Sequence, residues 1–314
     1  MEEAWLPALQ IIVTAAVNVA FALMTGSFAG VAILARADSD WGRSRVQSLR
    51  RIATCAVAAC LTASLFGLWI LAAVMSEQPM LSSLSSLAAV LMQTHAGHAA
   101  ALGTTALAIL LACLLFATGQ LGGRRVLVVA AACSAAFAAS RASAGHAGAT
   151  GALLPMITDW VHLLSASTWA GIVMVSALDA LREPGPDGLL ARTDCKSYVA
   201  NISTIATATL AGVVVTGMFS SWRALDGSLT SLVTSTYGAI LLVKVAGVGA
   251  ATALGAHNRF VLMPRLFASV RGNGSSFPAA LRRFTGVLGV ESFILFGVLA
   301  LAAALSTGSP PGPR

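Results

Sequence analysis

The sequence predicts an all-α membrane protein, a polytopic bundle of about eight transmembrane helices with both termini on the outer side. Three observations carry this reading. The chain is 57% hydrophobic and 10% charged, less than half of the roughly 25% charge found in soluble domains. Several apolar stretches exceed the ~20 residues that cross a bilayer. The basic residues gather in alternate loops, the pattern that orients helices in a membrane.

Hydropathy divides the chain into eight segments at about 6–34, 52–75, 87–118, 125–141, 153–180, 198–221, 237–257 and 283–305. The first follows "MEEAWLPALQ", which lacks a basic n-region. It continues to Leu34 without a cleavage site, so it reads as a retained span and not a signal peptide. The stretch "RADSDWGRSRVQSLRR" reads as the loop into the second segment. The third segment is long, and its first turns are expected to lie along the interface. "REPGPDG" (182–188) and "RGNGSSFP" (271–278) read as flexible loops, and "STGSPPGPR" as a disordered tail. Residues 1–305 are thus expected to form one transmembrane domain, with 306–314 as the tail.

Arg36, Arg43, Arg45, Arg50, Arg51, Arg124, Arg125, Arg182, Arg192, Lys196, Arg259, Arg265, Arg271, Arg282 and Arg283 fall on one side of this topology. Arg141, Arg223 and Arg314 fall on the other, and Lys244 lies within a span. The bias places the first group in the cytoplasm. It also explains the net charge of +7 without a nucleic-acid partner. The cysteines, Cys55, Cys60, Cys113, Cys133 and Cys195, form no CxxC pair. Four lie in apolar spans, where Cys acts as a small hydrophobe, so neither a disulfide framework nor a thiolate zinc site is expected.

The histidines are distributed unevenly. His95 and His98 follow the outer loop after the second span, His146 lies in the next outer loop, and His162 enters the fifth span from that side. Only His257 falls at the cytoplasmic end, where an interfacial structural role suits it. Met75, Met80, Met92, Met156 and Met218 share the outer bias. Imidazole binds copper, and thioether selects Cu(I). Asp159 precedes His162 by three residues, on the same helical face. It could orient the imidazole through its second nitrogen or act as a ligand. His146, His162, His95, His98, Asp159 and Met156 therefore form a candidate metal site. Singly, each has a plainer explanation: a membrane histidine hydrogen-bonds a neighbouring helix, and Met fills apolar gaps.

Two charges lie inside spans. Lys244 and Glu291 each cost roughly 2.5–3.5 kcal/mol at a bilayer centre. They are expected to pair or to border one polar cavity, either as part of a translocation path or as a structural ion pair.

The stretch "SRASAGHAGATGALLPMITDWVHLLSASTWAGIVMV" resembles the copper resistance protein D family. The matching residues are Gly145, His146 and Ala147, then Asp159, His162, Leu163, Leu164, Ala166, Trp169 and Gly171. Tyr237, Gly238, Lys244, Asn258, Arg259, Pro264, Leu266, Arg282, Arg283 and Glu291 extend the resemblance, which runs over about residues 140–305. The first third joins it through span count and the Thr94-x-x-Gly97 turn. The helix after Trp169 reads "AGIV", where the family more often has a second glycine.

The resemblance implies a bacterial inner-membrane copper protein, not an enzyme. It would move copper from periplasm toward cytoplasm with a small periplasmic copper-binding carrier, and both termini would lie on the periplasmic side. No GxxxxGK[ST] P-loop is present, nor a CPC pair in a span, so transport would be passive, ion-coupled or driven by delivery. Two alternatives stand beside it. Histidines on facing helices can ligate iron, which would make the chain a haem b redox protein. The same copper site could also serve sensing or storage without transport.

Overall fold

The computed structural model describes residues 5–116, 123–145, 152–182, 185–225, 230–270 and 276–308. Among them all regular structure is helical, and eight helices are long and apolar enough to cross a membrane. They are α1 (Leu6–Leu34), α2 (Asp40–Ser76), α3 (His95–Phe116), α4 (Arg124–Ala144), α5 (Leu153–Val175), α6 (Gly188–Ala224), α7 (Thr236–His257) and α8 (Ser276–Thr307). Large apolar side chains such as Ile12, Val215 and Phe293 point outward, as a lipid-facing surface requires. The chain is a multi-pass membrane protein.

α1 is the hub, packed against α2, α5 and α8. Its crossing with α5 depends on two glycines. A Cβ on Gly26 would collide with the Gly171 backbone, and one on Gly171 with the Ala22 carbonyl. Without side chains at the contact, the two backbones touch. Such small-residue crossings replace the hydrophobic drive that helices lack in lipid. One core joins α1, α5, α6 and α8, and a second joins α1 to α2, α3 and α4.

Several boundaries differ from the hydropathy reading. α2 begins at Asp40, inside the stretch read as a loop. The Ser39 hydroxyl accepts from Gly42 N at 3.1 Å and caps the helix. Trp41, Arg45, Leu49 and Ala53 then recur every four residues and are all buried. Hydropathy averages composition and misses this amphipathic extension. α6 likewise begins at Gly188, with Ala191, Cys195, Tyr198 and Ile202 on its buried face. These extensions knit the arginine-rich end together. Arg45 donates to the carbonyls of Asp179 (3.2 Å) and Arg182 (3.0 Å), while Ser39 N and Oγ donate to Asp194 at 2.9 and 2.5 Å.

The third predicted span is two helices, Leu87–Gln93 and α3, broken at Thr94. Thr94 is extended, and its hydroxyl accepts from Gly97 N at 2.9 Å while donating to Val90 O at 2.7 Å. A Cβ at position 97 would strike the Val90 carbonyl, so glycine is needed for the close turn.

At the arginine-rich end, α5 continues as a π-helical segment, Ser176–Ala180, and α7 as another, Asn258–Leu262. Ser306 and Thr307, read as part of the tail, belong to α8. Ser276, Phe277 and Pro278, read as loop, open that helix. Residues 183–184, 271–275 and 309–314 of those segments lie outside the described residues. All five cysteines are unpaired.

Candidate functional site

Asp159 and His162 sit one turn apart on α5 and face α6. There Thr216, Ser220 and Arg223 recur at spacings of four and three, a polar stripe along one helical face. His162 Nδ1 lies 2.9 Å from Thr216 Oγ1. The Thr216 hydroxyl gives its only proton to Gly212 O, at 2.5 Å. With its proton on that carbonyl the hydroxyl accepts from His162 Nδ1–H, the tautomer that carries the lone pair on Nε2. This is how a metal-ligating histidine is commonly prepared, with one ring nitrogen donating and the other presented. Gly217 lets the ring lie close to α6, since a Cβ there would be 3.3 Å from His162 Cε1.

Asp159 does not orient His162. Its Oδ1 accepts from Ser220 Oγ at 2.8 Å, and its Oδ2 pairs with Arg223 Nη2 at 3.1 Å. The carboxylate takes the nearby guanidinium in preference to a neutral ring. Tyr237, at the start of α7, lies within range of both charges. Lys244, two turns along α7, interacts electrostatically with His162. The hydrogen-bonded cluster thus joins α5 to α6, with the charge of Lys244 on α7 in electrostatic range. Arg223→Ala should leave Asp159 half-buried without its cation and lower stability by about 1–2 kcal/mol, measured by unfolding in detergent.

The other candidates lie elsewhere. His95 and His98 are exposed at the head of α3. His98 Nε2 donates to Met92 O at 3.0 Å, bracing the Thr94 break. Met156 is half-buried near the start of α5. His146 lies outside the described residues. Among the described residues, no three His, Cys, Asp or Glu side chains gather as a metal would need.

Lys244 and Glu291 do not pair; among the described residues the ion pairs are Arg43–Asp40 and Arg223–Asp159. Glu291 lies opposite Gly255, where a Cβ would be 3.2 Å from its Oε1. Position 255 is eleven residues beyond Lys244 along α7, about 16 Å of helix axis, too far for a lysine stem to bridge. Glu291 instead borders a cavity of about 210 Å³, shared with Trp169, Ser203, Thr252, Asn258, Arg259 and Met263. Lys244 is not in that lining.

Thr216 and Ser220 were invisible to sequence reasoning, since single hydroxyls in spans are common, and Asn258 entered only as a matching residue of the family resemblance. The stripe "TGMFSSWR" (216–223) was the available signal.

The fold and its buried polar groups define a polytopic membrane protein with two polar regions near opposite ends of α5, α6 and α7. Residues 1–156 match the family model for the copper resistance protein D-like N-terminal domain, and residues 198–305 that for copper resistance protein D. The chain belongs to the copper resistance protein D family, and its function is a copper-related one at a membrane. A copper resistance protein D from Pseudomonas syringae pv. tomato is 29% identical over 152 residues, 48% of this chain and 48% of that protein. The match therefore spans about half the length of that curated relative. No solved structure matches.

Proposed function

We propose that the chain carries copper across the bacterial inner membrane from periplasm toward cytoplasm, with His162 as the entry ligand. The observation that carries this reading is the Thr216 hydrogen bond, which reserves Nε2 of a half-buried imidazole for a ligand. The positive-inside rule turns the arginine-rich end to the cytoplasm. Both termini, and the His162 end of the bundle, then face the periplasm. Met156, near the start of α5, and His95 and His98, exposed at the head of α3, are further thioether and imidazole donors on the periplasmic side. Asp159 holds Arg223 in an ion pair beside the entrance. A periplasmic copper-binding carrier delivers the ion, which passes Lys244 and leaves past Glu291. The chain is a carrier of its cargo and not an enzyme.

Copper and iron are to be counted on the detergent-purified chain after Cu(I) loading under reducing conditions, then flux followed in vesicles. At least one copper per chain, no iron, and accumulation inside vesicles are expected. Bound copper without flux would make the chain a store or sensor. Stoichiometric iron with intense violet absorbance would make it a haem protein. Absence of both metals would overturn the proposal.

A further inference from the structure

Two buried polar side chains at the arginine-rich end are unexplained by the packing of the bundle. Asn258 is 3% exposed, and both its Oδ1 and its Nδ2 lack a hydrogen-bond partner. Glu291 is also 3% exposed and forms neither an ion pair nor a hydrogen bond among the described residues. Buried amides are almost always satisfied, and a buried carboxylate is costly without a compensating charge. Both side chains line the same cavity, and the thioether of Met263 lines it too.

The cation in that lining is committed elsewhere. Arg259 Nη1 donates to Ser203 O (3.0 Å), Ser203 Oγ (2.8 Å) and Thr207 Oγ1 (2.9 Å), all on α6. None of these bonds reaches Glu291, and no ion pair joins the guanidinium to the carboxylate among the described residues. Asn258 also opens the π-helical segment that interrupts α7, a distortion found mostly at functional sites.

We propose that this cavity is a second cation site, where the Glu291 carboxylate, the Asn258 amide oxygen and the Met263 thioether hold the copper ion before it leaves. The inference takes the identity of the ion from the proposed function, and the site itself from the cavity and its unsatisfied donors. Carboxylate charge offsets the cost of bringing a cation into a low-dielectric space, and thioether favours Cu(I). Trp169 in the cavity wall lies seven residues from His162 on α5, about 10 Å along the helix. The two sites are thus consecutive stations along the same helices.

The test is copper per chain and copper affinity, after Cu(I) loading in detergent, for the wild type, His162→Ala, Glu291→Gln and Asn258→Leu. Circular dichroism and size exclusion would check the fold. Glu291→Gln keeps size and removes a buried charge, so it should fold as well as the wild type. The expected result is two coppers in the wild type and one in each of His162→Ala and Glu291→Gln. Asn258→Leu should weaken the second site at least about tenfold. Wild-type copper number and affinity in Glu291→Gln would overturn the inner site and leave the entry proposal standing. Loss of copper in Glu291→Gln with none lost in His162→Ala would retain the inner site and remove the entry site. A wild type that binds no copper would overturn both.

Discussion

His162→Ala should abolish copper binding at the entry end of the bundle, because it deletes the nitrogen that the structure presents. A cavity-forming change on a half-buried face could also act through the fold, so Thr216→Val is the sharper companion. Valine keeps the volume of threonine but offers no acceptor. The imidazole should then lose its fixed tautomer and orientation, and copper affinity should fall about 10–100-fold, the usual effect of removing such a support. Helicity and elution volume should match the wild type in both variants. Isothermal titration with a competing Cu(I) chelator measures the difference. Unchanged affinity in His162→Ala would exclude this histidine as a ligand.

Gly171→Val should have the largest effect on the fold. At this crossing α1 and α5 meet backbone to backbone, so a branched side chain has no space and no neighbour able to yield. Overpacking in a close-packed interior costs about 1–3 kcal/mol and at times more. The hub helix is the one displaced here, so the yield of folded monomer after extraction should collapse. Gly26→Val should do the same. Gly289→Ala is the control, because nothing lies within 4 Å of a Cβ there; it should behave as the wild type. Size exclusion of detergent extracts and thermal unfolding would read all three.

Much of this architecture was legible from composition and hydropathy. α1 matches its predicted bounds, and each of the eight predicted segments corresponds to a spanning helix. The misses share a cause. The start of α2 carries arginines, so averaging hid its regular burial of Trp41, Arg45 and Leu49. The break at Thr94 depends on a hydroxyl cap and one glycine, not on apolar content. The depth of Lys244 relative to Glu291 was inferred from assumed span ends. In the structure Glu291 faces Gly255, eleven residues beyond Lys244 on α7, so the two charges sit at depths about 16 Å apart along the helix axis. Of the candidate site, the Asp159–His162 spacing was readable. The partner that holds each was not, because Thr216 and Ser220 have their meaning only across an interface.

The placement of α7 has a mechanical consequence. It lies along α8, has few buried residues of its own, packs near its start in a cluster of Leu225, Leu241 and Leu305, and is tied to α6 by Arg259 just past its other end. A helix that buries so little of its own surface is the part of a bundle that moves with the fewest contacts broken. Swinging it about the α8 flank would shift it against α6 while α1 and its neighbours stay still. Arg259 then acts as a latch on a hinged panel, and cutting it should loosen that panel without unfolding the frame.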